Sequence, residues 1–257
     1  MGKRTDPDMH LVLSDHHIPY QDKQVETLSL DFVAEHQPNT IHLLGDLVDF
    51  YTLSRFDKEP SRLSDLQSDL EAALAYLERL RIVSPKSRII WSEGNHENRL
   101  KRYLWNKAPE LSRLAQLQIP ELFHLDDFNI EWVDSHHPYE VGKLLFTHGD
   151  LVRKWSGASA KGHHDKYGCC VIHGHTHRLG SFYHTTRAGS HGAWENGCLC
   201  TLTPEYMVSP DWQNGWSVVW FYGDFFHVEQ VVVTNGSYVY HGGLRSIGTR
   251  QRVNTAG

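Results

Sequence analysis

Nowhere in the 257 residues is there an uninterrupted apolar run of about 18, which excludes a membrane-spanning helix on hydropathy grounds. The opening residues, Met1 to Asp8, are polar and charged and lack the apolar stretch of a secretory signal, so a soluble, cytoplasmic protein is expected. Cysteine is scarce. The four present, Cys169-Cys170 and Cys198-x-Cys200, lie in apolar runs, and neither spacing gives a disulfide framework or a CxxC zinc pair. A four-cysteine metal site would need adjacent cysteines on one side of a strand, whereas neighbours point to opposite faces, so buried reduced thiols are expected. Internal repeats and low-complexity tracts are also missing. A net charge of -6 argues against a nonspecific nucleic-acid coat, although it counts aspartates that bound cations would neutralise.

What is present is enough for one large domain: 40% hydrophobic and 11% aromatic residues can bury a substantial core. The 19 histidines are clustered, and neutral imidazole is the commonest metal ligand. Residues 10–14 form an apolar run ending at Asp15, and 22–37 carry Val25, Leu28 and Phe32 at helical spacing before Pro38. A second run, 40–44, leads into Gly45-Asp46. The strongest helical pattern follows, with Leu63, Leu66, Leu70, Ala73, Leu74, Leu77 and Leu80 on one face, Ser64 and Gln67 as a capping box, and Pro85 beyond its end. A third run, 88–92, enters Gly94-Asn95-His96. Residues 98–117 look helical, with Pro109 interrupting. Strand-like runs then recur at 128–133, 143–147, 169–173, 198–202, 216–222, 226–233 and 237–240. This order fits an α/β fold of two mixed β-sheets packed as a sandwich and flanked by helices. One domain is expected over 1–241, with 98–120 as a candidate helical lid and 242–257 as a flexible tail.

Five polar blocks each follow a strand-like run: Asp15-His16-His17, Gly45-Asp46-Leu47-Val48-Asp49, Gly94-Asn95-His96-Glu97, Thr147-His148-Gly149 and Gly174-His175-Thr176-His177. Loops at strand ends can aim oxygen and nitrogen ligands into one crevice while the sheet fixes their backbones. Alone, each block is unremarkable, since GD-x-x-D is usually a turn and His-Gly a surface loop. Together and in order, they resemble the calcineurin-like metallophosphoesterase superfamily, whose pattern is D-x-H, GD-x-x-D, GNH[ED], a later H, and GH-x-H. The resemblance spans Asp15 to His177 and implies the four-layer αββα arrangement of that superfamily.

It also implies two divalent cations, one on Asp15, His17 and His177, the other on Asn95, His148 and His175, with Asp46 bridging. His16, His42 and His173 are expected to pack or to support ligands instead. Two cations about 3.5–4 Å apart can share a water, lower its pKa and bind phosphate oxygens, so that the nucleophile is a metal-bridging hydroxide. Mixed imidazole and carboxylate donors suit Mn, Fe, Zn or Ni better than Mg or Ca, with Mn first. By the same resemblance His96 is the general acid for the leaving alkoxide, and Asp49 is placed to hold its imidazole.

The substrate is less constrained. In the phosphoprotein phosphatase branch the second block continues Arg-Gly, whereas here Asp49 precedes Phe50-Tyr51; the missing phosphate clamp argues against a Ser/Thr phosphatase. Arg99 could replace it. Basic residues follow the third block (Arg99, Lys101, Arg102, Lys107, Arg113) and the fourth (Arg153, Lys154, Lys161, His163, His164, Lys166), interleaved with Tyr103, Trp105, Trp155 and Tyr167. Such a pattern suits phosphates and bases, with Arg99, Lys101 and Arg102 as candidate substrate contacts, and equally suits a solvated helix face. The expectation is a phosphodiesterase or nuclease acting on DNA, RNA or a nucleotide. The alternative is a broad-specificity phosphomonoesterase or protein phosphatase on the same fold.

Overall fold

The computed structural model describes residues 7–60, 65–187, 189–204 and 207–247. Strand β1 (Asp8–Leu13), helix α1 (Lys23–His36), β2 (Thr40–Leu43), helix α2 (Leu66–Val83) and β3 (Arg88–Ser92) form successive right-sized βαβ units, and β1, β2, β3 and β4 (Ile130–Val133) pair in parallel. The antiparallel strands β10 (Gly215–Tyr222) and β11 (Phe225–Val232) extend this sheet beside β1, giving the order β11-β10-β1-β2-β3-β4. A second sheet runs β5-β6-β7-β9-β8, from Tyr139–Val141, Leu144–Thr147, Cys170–His173, Gly189–Asn196 and Leu179–Thr186.

Strand periodicity explains the layering. On β1, Leu11 and Leu13 join Val25, Leu28, Phe32, Tyr76 and Leu77 under α1 and α2, while Val12 points the other way. There Val12, Val219 and Phe221 of the first sheet meet Phe146, Ile172 and Trp194 of the second. On the far side of that second sheet, Leu145, Val171 and Ala193 carry Ala160 of helix α5 (Ala158–Tyr167). Helices, sheet, sheet and helix therefore stack in the expected αββα order.

Several local expectations change. Residues 198–202 make isolated bridges (Cys198 to Asn214, Gln21 to Cys200) and no strand, because their backbone is bonded to loops: Leu199 N–H reaches the Ser14 and Asp15 carbonyls, and Asn214 Nδ2 donates to the Cys198 and Cys200 carbonyls. Leu63 and Ser64 lie outside the described residues, and the α2 N-cap is Asp65, whose carboxylate accepts from Gln67 N–H. The helical stretch after Gly94 ends as α3 (Glu97–Lys107), followed by single 3-10 turns at Pro109–Leu111 and Ala115–Leu117 and the short α4 (Ile119–Leu122). The stretch expected as a tail begins with a strand. Gly243–Ser246 forms β13, paired with β12 (Ser237–Tyr240), and Arg245 Nε bonds Glu35 at 3.0 Å. Residues 248–257 lie outside the described part. Among the described residues no helix is long and apolar enough to cross a membrane, and the four cysteines are free thiols.

Candidate metal centre

All five blocks leave the carboxyl ends of parallel strands, β1, β2 and β3 of one sheet and β6 and β7 of the other. Their loops are stitched together by the backbone, with Asp15 N–H on the Gly45 carbonyl (3.1 Å) and His17 N–H on the Asp46 carbonyl (2.9 Å). Asp15, His17, Asp46, His175 and His177 all take positive φ, between 51° and 69°. Non-glycine residues seldom do so, and surrounding bonds must hold them there. Gly94 shows how tight the fit is: a Cβ at that position would come within 2.2 Å of Asp46 Oδ1.

The seven expected ligands converge. His17 Nε2 and His177 Nε2 are 3.0 Å apart, and Asp15 Oδ1 is 3.3 Å from the latter. His148 Nε2 lies 3.0 Å from Asn95 Oδ1 and 3.3 Å from Asp46 Oδ2, and Asp46, His148 and His175 present ligand atoms within 4.8 Å of one another. Asp46 Oδ2 is also 3.7 Å from His17 Nε2, so it stands between the two groups.

Hydrogen bonds on the outer ring nitrogens decide what faces inward. His17 donates its Nδ1 proton to Asp49 Oδ2 (3.0 Å), His148 donates to the Leu44 carbonyl (2.7 Å), and His177 Nδ1 faces Cys200 Sγ (3.7 Å). Nε2 of His17 and of His148 is thereby left to present a lone pair toward other acceptors. Lone pairs and carboxylate oxygens at these spacings need a positive charge between them, either a proton or a cation. Nitrogens bonded at about 2.1 Å to one ion at right angles stand about 3.0 Å apart, which is the spacing of His17 and His177.

Titration follows the same logic. Burial opposes ionisation of Asp15, but His177 outweighs it and brings the carboxyl to about 2. Burial likewise opposes Asp46, which His148 and His96 hold well below the usual range. Burial disfavours charge on His148, yet Asp46 pulls its imidazole up to about 10. With a raised pKa the protonated ring dominates at pH 7, and a cation taking its lone pair must expel that proton. Calorimetry at pH 7 in buffers of different ionisation heat is expected to show at least one proton released on metal loading, with affinity climbing about tenfold per pH unit on the way to the His148 value. Loading without proton release would contradict the ligand assignment of His148.

The calcineurin-like phosphoesterase family model matches residues 10–179, two thirds of the chain and every one of these blocks. The chain belongs to the calcineurin-like phosphoesterase family. This phosphoesterase is 29% identical over 247 residues to the Gene 54 protein of Mycobacterium phage D29, covering 90% of the chain and 96% of the relative. Among solved structures it is similar to zinc-complexed Vps29 of Entamoeba histolytica (TM-score 0.47, 13% identity, 90% and 96% coverage). It is also similar to nuclease MPE of Pseudomonas putida (TM-score 0.43, 15% identity, 82% and 83% coverage).

Around the phosphoesterase centre, His96 Nδ1 donates to the Asp49 carbonyl (2.9 Å) and lies 3.3 Å from Asp49 Oδ2. Its Nε2 accepts from Arg99 Nη2 (2.8 Å), while Arg99 Nη1 also bonds the Asp49 carboxylate (3.1 Å). His96 Nε2 is as near Asp46 as His17 is, at 3.7 Å, so its bond to Arg99 is what sets it apart from the ligands. Of the three candidate substrate residues, Arg99 joins the centre. Lys101 lies over the Trp105 ring and lines a separate cleft with Leu117 and Trp132, and Arg102 faces solvent.

Three further residues support the centre, of which only Glu97, at the end of the third block, is marked in the sequence. Glu97 is buried and accepts N–H bonds from Asp46 (2.9 Å), Leu47 (2.7 Å), Val48 (3.3 Å) and Gly94 (2.8 Å), clamping the loop that aims Asp46. Burial and the Asp46 charge push its carboxyl up to about 7. Cys200 backs His177 as described, and Trp212 sets its ring 4.2 Å from the His177 ring. Cys200 and Trp212 lie far in sequence from His177, which conceals their contacts, whereas Glu97 belongs to the third block and only its bonds to the Asp46 loop are hidden.

Proposed function

We propose that this phosphoesterase hydrolyses phosphodiesters of a nucleic acid or nucleotide. Asp15, His17 and His177 would hold one divalent cation and Asn95, His148 and His175 another, with Asp46 as the bridge. The observation supporting this most is the set of facing acceptors, with three Nε2 atoms whose outer nitrogens are occupied. When bound, such a pair supplies an acidified water and neutralises phosphate charge. Mixed nitrogen and oxygen donors favour manganese, with iron, zinc and nickel as substitutes.

The protein's own residues then divide the work. His96 delivers a proton from Nε2 to the departing alkoxide, and Asp49 holds the ring through Nδ1. Because Nε2 accepts from Arg99 in this structure, Arg99 must first swing away toward a phosphate oxygen and Nε2 take up a proton from water before it can pass one to the alkoxide, which couples substrate binding to the charging of the acid.

Two features support a diester over a monoester. The positions that carry Arg-Gly in protein phosphatases are Phe50 and Tyr51, both turned into the core, and the Arg99 charge is already compensated by Asp49. Drawn off Asp49 onto a phosphate oxygen, Arg99 supplies one charge, which suits a singly charged diester better than a monoester dianion. The half-buried Trp212 ring beside His177 offers a stacking face for a base.

The test is a panel of mono- and diesters, single- and double-stranded DNA, RNA and cyclic nucleotides on manganese-loaded protein. Diester turnover above monoester turnover is expected. The reverse order would return the assignment to a phosphomonoesterase or protein phosphatase.

A further inference from the structure

A second group of imidazoles lies on the outer side of the second sheet, where the catalytic loops play no part. The antiparallel register of β8 and β9 sets His184 directly opposite His191. Helix α5 crosses them and brings the His164 ring to 5.5 and 5.3 Å from theirs, centroid to centroid. His164 donates its Nδ1 proton to the Cys169 carbonyl (2.9 Å), so its Nε2 offers a lone pair, 3.4 Å from His184 Nδ1. His191 Nδ1 is shut off from solvent and has no hydrogen-bond partner among the described residues.

We infer that His164, His184 and His191 form a further, noncatalytic site for a transition-metal ion of the zinc or nickel class. Two nitrogens on a tetrahedral zinc, each at about 2.0–2.1 Å, stand about 3.4 Å apart, which matches the pair already facing. The donor nitrogens of the three rings do not all lie within 4.8 Å of one another as they stand, so closing the site requires the exposed His184 side chain to rotate toward His191. A set of three neutral imidazoles selects Zn, Ni or Cu over Mg, Ca or Mn, which distinguishes this site from the carboxylate-rich centre. Asp165, ion-paired with Lys161 next along α5, or a water completes the shell.

The unpartnered His191 nitrogen argues for a ligand over a chance cluster, because enclosed polar atoms are ordinarily paired. A bound ion would tie α5 to the β8–β9 hairpin. The same helix supports the loop after β6, where His163 Nε2 accepts from Asp150 N–H (3.1 Å), two residues beyond His148. The site would therefore stiffen a wall of the catalytic cleft without touching substrate.

The experiment is equilibrium dialysis of the full chain against buffered micromolar zinc, followed by elemental analysis, comparing wild type with His184→Asn and with His184→Asn/His191→Asn. Each variant is expected to bind one zinc fewer than wild type, while manganese-supported hydrolysis stays unchanged. The difference of one ion is the readout, so the outcome does not depend on how many ions the catalytic centre holds. Equal zinc contents in wild type and in the exposed-site single variant would overturn the proposal.

Discussion

Asp46→Asn is expected to lower turnover by roughly 10²–10³-fold, the scale seen when a group that directly stabilises transition-state charge is removed. The change preserves shape and removes one charge. Asp46 Oδ2 stands 3.3 Å from His148 Nε2 and 3.7 Å from His17 Nε2, one from each ligand group. An amide presents one neutral oxygen where a bridge needs anionic density toward both ions. Both cations should therefore weaken together, beyond the 10- to 100-fold typical of an outer supporting residue. Manganese titration of the variant checks this, and loss of one ion with full retention of the other would refute the bridging role.

His96→Gln is expected to cost about 10²–10⁴-fold on diesters with alkoxide leaving groups, the usual worth of a general acid. A nitrophenyl ester should lose far less, since its leaving group departs without a proton. Both metals should remain, because His96 Nε2, although 3.7 Å from Asp46, is engaged by Arg99. Equal losses on the two substrate types would remove the acid assignment. Loss of a metal would make His96 a ligand, the role its 3.7 Å distance from Asp46 would otherwise permit.

The parts of this site that could be read in the sequence are those written locally. Asp15, Asp46, Asn95, His148 and His175 each sit a few residues past an apolar run, and those runs became β1, β2, β3, β6 and β7. Parallel order followed from the helical stretches between the first three. Features supplied by distant residues stayed hidden. Helix α5 has a left-handed Gly157 in place of a capping side chain, and its first N–H groups are satisfied by Glu195 from β9, so no local start signal exists. Strand β13 has a Gly-Leu-Arg-Ser sequence without alternation and depends on β12 for its pairing. Conversely, the apolar residues 198–200 are buried without forming a strand.

The basic residues of α3 show a different limit. Charge can be counted from sequence, but helix rotation decides where it goes. Lys101 stands about 200° around the helix from Arg99, so one reaches Asp49 while the other faces the cleft beside Trp132.

The most direct test of the account is anomalous diffraction from manganese-soaked crystals. Two peaks about 3.5–4 Å apart are predicted, one among Asp15, His17 and His177 and one among Asn95, His148 and His175, with Asp46 touching both. A single peak, or peaks away from these seven side chains, would contradict it.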